Sequence, residues 1–245
     1  MQTPTANDLL LAWETALECS PPRRALALLA TATAPAAHAR MAALPIGVRD
    51  ERLMRVRQLL FGDTVAALAQ CPACGERLDI GFSIDSLCTP AGAPDDEPAS
   101  YRLQVGGFDI GYRVPTSADL LELPAGDAAA QQAALLRRCV NEVLHDGAAA
   151  AAGALPDPVV SALVDAMALA DPHATVELPL DCPGCGHGWR SLFDIASFLW
   201  REVDAWARRT LHDVHTLACA YGWSEEQILA LTSRRRAIYL DMVRL

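Results

Sequence analysis

Two short segments carry the residue types whose spacing could do chemistry: Cys71-Pro-Ala-Cys74-Gly75 and Cys182-Pro-Gly-Cys185-Gly186. A Cys-x-x-Cys turn presents two sulfurs to one cation. The glycine after the second cysteine lets the backbone curl, so that amide N–H groups approach the sulfurs. Two such turns supply four soft ligands, the tetrahedral set that Zn2+ favours in closed structural sites. We read Cys71, Cys74, Cys182 and Cys185 as the ligands of one structural zinc. The same cage suits mononuclear iron. The pairs could also act apart as redox dithiols, although enzymes of that type need one motif rather than a matched two. Four thiolates leave no open coordination position, which argues against a catalytic metal. His187, just past the second turn, reads as a surface neighbour rather than a ligand. Cys19, Cys88, Cys139 and Cys219 are scattered, three of them in predicted helices, and read as small buried residues.

The 107 residues between Cys74 and Cys182 exceed any compact zinc finger. Loop closure costs only roughly 0.6 kcal/mol more per doubling of length. Metal binding to four thiolates contributes on the order of 10 kcal/mol to folding, so a long insertion is tolerable.

The elements that must position the cysteines follow from the hydrophobic period. Residues 1–70 read as helical: Asn7 caps a helix bearing Leu9, Leu10, Trp13 and Leu17, which Pro21-Pro22 ends, and helices follow over 24–31 and 49–60. After Cys74 the period becomes two, through Leu78, Ile80, Phe82 and Ile84. Residues 91–100 form a Pro/Gly/acid-rich loop, and residues 101–114 a hairpin turning at Gly106-Gly107. Thr116 or Ser117 caps a helix before Asp119. A helical stripe over 127–145 holds Leu135, Leu136, Cys139, Val140, Val143 and Leu144, and Asp157-Pro158 opens another helix over 159–170. Alternation returns at Val176, Leu178 and Leu180. A helix of about 25 residues then ends at Gly222. Ser224 and Gln227 form a capping box, and a last helix runs to Val243. The expected fold is α+β and mainly helical: a split four-cysteine zinc ribbon, a helical insertion, a long C-terminal helix and a short helical hairpin. Its parts are 1–70 (helical), 71–115 (first knuckle and hairpins), 116–173 (insertion), 174–194 (second knuckle and strands) and 195–245 (C-terminal helices).

Bulk composition excludes several classes of function. The net charge is −10, and binding to a phosphate backbone needs an excess of positive charge, so no nucleic acid is expected. No stretch is long and apolar enough for a membrane span. The N-terminus lacks the basic and apolar regions of a secretory signal, so a cytoplasmic chain is expected. Gly-x-Gly-x-x-Gly, phosphate-loop, Gly-x-Ser-x-Gly and His-Glu-x-x-His motifs are all missing from the sequence. His212 and His215 read as a solvated helix face. A non-enzyme is expected. Near the C-terminus, Trp223, Ile228, Leu229, Leu231, Ile238, Tyr239 and Val243 read as the packing of a helical hairpin. Trp223, Arg234, Arg235 and Arg236 are candidates for a partner surface, where tryptophan and arginine are frequent hot-spot residues.

The block Tyr221-Gly-Trp-Ser-Glu-Glu-Gln-Ile-Leu-Ala-Leu-Thr-Ser-Arg-Arg-Arg-Ala-Ile-Tyr-Leu-Asp-Met-Val243 resembles the baseplate hub assembly chaperones of contractile-tailed, T-even-like phages and related contractile injection systems. Leu44-Pro-Ile-Gly-Val-Arg-Asp50, both knuckles, Pro115-Thr-Ser-Ala-Asp-Leu120, Ala170-Asp-Pro172 and Phe193-Asp-Ile-Ala-Ser-Phe-Leu-Trp200 are similar to the bacterial members. The resemblance implies a chain that helps to assemble the baseplate hub, with hub or spike proteins as partners. The alternatives are a permanent baseplate component and a zinc-ribbon regulator binding nucleic acid.

Overall fold

The computed structural model describes residues 2–88, 99–151, 153 and 155–243. The expected acidic loop over 91–100 lies, as far as residue 98, outside these. Three apolar clusters organise the described residues. The largest is built by helices α1 (Ala6–Ala16), α2 (Pro21–Thr31) and α4 (Ile46–Phe61) against the first half of α8 (Ile195–Tyr221). The short α3 (His38–Met41) links α2 to α4. Thr5, not Asn7, caps α1, because its hydroxyl accepts from the Asp8 amide while the Asp8 carboxylate accepts in return. Pro21-Pro22 does not end α1. It opens α2, where a missing N–H costs nothing.

Residues 64–70, expected as helix, are strand β1 (Thr64–Gln70), paired antiparallel with β2 (Arg77–Ser83). The insertion over 116–173 is not purely helical either, because a sheet that begins with the expected hairpin before it runs on into it. Strands β3 (Ser100–Val105) and β4 (Phe108–Arg113) turn at Gly106 and Gly107, both at positive φ. The ladder then continues into β5 (Val140–His145) and the two-residue β6 (Ala148–Ala149). The helix expected over 127–145 therefore stops at Cys139 as α6 (Ala128–Cys139). Val140 turns to extended backbone opposite Tyr112, and Asp146-Gly147 makes a second left-handed turn. α6 and α7 (Asp157–Ala170) cover this sheet through Cys139, Val159, Leu163 and Met167. Pro156, one residue before the expected cap, precedes α7.

β7 (Val176–Asp181) and β8 (Gly188–Phe193) form a second isolated hairpin, and Asp194 caps α8 directly after it. The third cluster joins the second half of α8 to α9 (Glu225–Leu229) and α10 (Ser233–Val243) through Leu217, Ile228 and Leu240. Gly222 ends α8 in the left-handed conformation, and Ser224 and Gln227 form the expected capping box. Ile238 and Val243 are exposed rather than packed.

A buried polar junction fastens the insertion to the helical core. Asp171 accepts from the Gly47 amide at 2.9 Å, Arg49 donates to Ser117 at 3.1 Å and to Asp50 at 2.7 Å, and Ile46 N–H donates to the Pro115 carbonyl. Burial pushes the Asp50 carboxyl up to about 6 despite the pull of Arg49. α5 (Ser117–Leu121) starts here, capped by Thr116 with Asp119 in return. Burial alone would raise the Asp119 pKa. Two bonds from Arg113, at 2.6 and 2.7 Å, and those from Thr116 outweigh it and hold the carboxyl well below the usual range. Arg138 adds a third cationic donor at 3.2 Å.

Asp119→Asn should cost about 3 kcal/mol at neutral pH, since it leaves Arg113 without its carboxylate and Arg138 with Glu122 alone. A carboxyl depressed in the fold stabilises above its unfolded pKa of about 3.9. That contribution is lost on acidification below it, so the deficit should shrink as urea melts are repeated at falling pH. Gly47→Ala would place a Cβ 2.0 Å from Asp171 Oδ1 and 2.8 Å from the Ala174 amide nitrogen. It should lower the melting temperature sharply, whereas Gly153→Ala, in open space, should not.

Candidate metal centre

Each cysteine turn is the loop of a two-stranded hairpin. The β1–β2 ladder ends at Gln70 opposite Arg77, and the β7–β8 ladder at Asp181 opposite Gly188. Beyond them the turns close identically. Cys71 N–H donates to the Glu76 carbonyl and Gly75 N–H to the Cys71 carbonyl. Cys182 N–H donates to the His187 carbonyl and Gly186 N–H to the Cys182 carbonyl, and all four bonds are 2.9 Å. Gly75 and Gly186 sit at φ +79° and +71°, which glycine adopts without a Cβ penalty. The sequence similarity of the two turns is thus a similarity of backbone path.

The two hairpin tips meet. Cys71 Sγ lies 3.8 Å from Cys185 Sγ and Cys74 Sγ 3.6 Å from Cys182 Sγ, and all four sulfurs fall within 4.8 Å of one another. A cation bound at about 2.3 Å by four tetrahedral sulfurs needs sulfur–sulfur edges of about 3.8 Å, so the cluster could hold a metal ion. One sulfur of each turn is buried (Cys71, Cys182) and one exposed (Cys74, Cys185). Burial raises the Cys71 thiol, but the amides of Cys74 and Ala73 outweigh it and bring it down to about 7. At Cys74 the Glu76 amide pulls the pKa down, while the neighbouring sulfurs push it up to about 12. The backbone thus favours a first thiolate, and sulfur crowding resists the next. A bound cation reverses that resistance, because each further thiolate then gains attraction.

Three features hold the hairpins at this distance. Arg57 on α4 is forked onto Glu202 of α8 at 2.9 and 3.0 Å. It also donates to the carbonyls of Gly62 and Thr64, which fixes where β1 leaves the core. Phe82 of β2 meets Phe193 of β8 edge to face, with centroids 5.0 Å apart. Val65, Phe82, Val176 and Phe193 all pack on the largest cluster.

The other singled-out residues fall elsewhere. His187 is exposed and stacks beside Trp189, and its imidazole is no part of the sulfur cluster. His212 and His215 are exposed on α8. Cys88 and Cys139 are buried and Cys19 is half-buried, but Cys219 is exposed, not buried as expected. Trp223 is half-buried, stacked on Tyr221 and edge-on to Tyr239. Arg234 and Arg235 are exposed, whereas Arg236 is turned into the fold 3.8 Å from Asp213. Sequence reasoning does not single out the polar junction of Gly47, Arg49, Asp50, Ser117, Asp119 and Asp171 as a unit. Its one sequence signal is that these residues fall in three of the short segments carrying the resemblance. Among the described residues, no helix is long and apolar enough to cross a membrane.

Cobalt substitution tests the centre. The purified chain should bind one Co2+ and show the intense visible and near-ultraviolet bands of a tetrahedral four-thiolate complex. Cys74→Ser should weaken binding by a factor of ten or more and blue-shift those bands.

A family model described as T4 bacteriophage base plate protein matches residues 23–200. That stretch holds both hairpins, all four cysteines and the polar junction, and stops near the start of α8. Comparison with curated proteins and with solved structures gives no match. With more than two thirds of its length matched, the chain belongs to the T4 bacteriophage base plate protein family.

Proposed function

We propose that this chain is a non-enzymatic assembly factor, a chaperone for the baseplate hub of a phage-tail-like contractile injection system, acting in the cytoplasm. One structural Zn2+ on Cys71, Cys74, Cys182 and Cys185 would make the two hairpins a split zinc ribbon. The observation that carries the reading is membership of a base plate family in a chain whose cysteine cluster is closed. Four thiolates around one ion leave no position for a substrate or an activated water. Zinc suits such a site because it has no redox chemistry and no geometric preference beyond the tetrahedron. The C-terminal block from Tyr221 to Val243, which resembles hub assembly chaperones, lies beyond the matched stretch and favours assembly over permanent incorporation. The family's own description as a base plate protein favours the second reading, a permanent baseplate component.

In this mechanism the ribbon and α8 form a rigid frame, and the C-terminal helices with Trp223, Arg234 and Arg235 face hub or spike proteins until these are built in. A tagged pull-down from cells expressing the whole injection-system cluster separates the readings, with soluble pool and purified particles analysed apart. Hub or spike proteins in the soluble pool, with the chain missing from particles, are expected. Stoichiometric recovery within particles would make it a structural part. A variant with all four cysteines changed to serine should lose both its zinc and its partners, and normal partner yield from it would refute the role given to the metal.

A further inference from the structure

Arg236 has unmet hydrogen-bonding capacity. Its side chain is nine-tenths buried between α8 and α10, Nε reaches Asp213 only at 3.8 Å, and the buried Nη1 has no hydrogen-bond partner among the described residues. Arg236 lines a cleft of about 580 Å³ whose wall also carries Arg208, Arg209, Ser233 and the carboxylate of Asp213, with Trp206 and Leu240 as apolar flanks. Leaving a buried charged donor unsatisfied is costly; Nη1 itself is enclosed, so an acceptor from outside would have to meet the guanidinium at the part that lines the cleft. Arg208 is engaged by Asp204 at 3.0 Å. Arg209 donates through Nε to the Ala205 carbonyl, and no carboxylate pairs with it among the described residues. Ser233 is the first residue of α10, an 11-residue helix whose positive end lies here, with the Arg235 amide already bonded to the Thr232 hydroxyl.

We propose that this cleft is an oxyanion site that takes the carboxylate of an acidic side chain from a partner protein. Guanidinium groups recognise carboxylates by paired, charge-assisted hydrogen bonds. The Trp206 and Leu240 flanks suit a carboxylate on an aliphatic stem better than a bare phosphate. The chain's charge of −10 repels an extended polyanion but not a single acidic group that meets a local excess of arginine. The assignment depends on the assembly reading only for the source of the carboxylate.

The probe is a fluorescein-labelled Gly/Ser peptide carrying one glutamate and an amidated C-terminus, added to the purified full chain and followed by anisotropy, with inorganic phosphate as competitor. Binding that weakens with salt is expected, together with a shift of the Arg236 Nε–H resonance on saturation. Because Arg236 is buried, its replacement could unfold the hairpin. Arg209→Gln, on an exposed residue, is the primary variant: it should weaken binding about tenfold at unchanged melting temperature. Salt-insensitive binding, or binding untouched by Arg209→Gln, would overturn the site. Displacement of the peptide by equimolar phosphate would overturn the carboxylate assignment. If Arg209→Gln loses the peptide yet co-purifies base plate proteins at wild-type yield, the partner source is wrong and the assembly reading stands. Peptide binding by a wild-type chain that captures no base plate protein would support the cleft and sink the assembly reading.

Discussion

Four cysteine sulfurs within 4.8 Å of one another set the constraint on which the two halves of this fold depend. As thiolates they repel, and as thiols they offer only weak hydrogen bonds. The hairpins that bring them together have no third strand among the described residues, and an isolated two-stranded hairpin is marginal in water. A thiophilic cation would answer both problems, since it would convert repulsion among the sulfurs into shared attraction. It would also close one loop across the 107 intervening residues at a chain-entropy cost that grows only with the logarithm of length.

The clamp can work only because other contacts aim the hairpins. Arg57 joins α4, the start of β1 and α8 through one guanidinium, so the first hairpin leaves the core where α8 runs past. The second hairpin enters α8 directly through the Asp194 cap. Its position is thus set by the same helix. Between them the insertion is docked by buried hydrogen bonds rather than by a broad apolar face. Such an arrangement adds little net stability relative to apolar packing but penalises any misalignment that strands a charge. Gly47 shows how tight it is, because even a methyl group would meet the Asp171 carboxylate.

The family match ends near the start of α8, and the packing changes about midway along the same helix. The first half of α8 completes the largest apolar cluster, while its second half serves a separate one with α9 and α10. One helix of 27 residues, on the order of 40 Å long, therefore carries the C-terminal hairpin away from the cysteine cluster. That hairpin holds the exposed arginines, the half-buried Trp223 and the cationic cleft.

Much of the candidate site was legible in the sequence because its determinants are local. Within five residues, Cys-Pro-x-Cys-Gly fixes the turn, the left-handed glycine and the amides that face the sulfurs, and the capping boxes at Thr116 and Ser224 are equally short-range. Strand β1 was not legible: Thr64-Val-Ala-Ala-Leu-Ala-Gln70 has helix-favouring residues and becomes a strand because β2 pairs with it. The stretch from Val140 to His145 kept an apolar stripe compatible with helix, and β4 decided otherwise. Arg236 looked like one of three equivalent surface arginines, yet the fold buries it and leaves its neighbours exposed. The sequence by itself determined which four cysteines form the candidate metal cluster and several helix boundaries that depend on caps and prolines. Only the tertiary structure decided which strands pair, which sulfurs face one another and which arginine is enclosed, because those outcomes depend on groups brought together from distant parts of the chain.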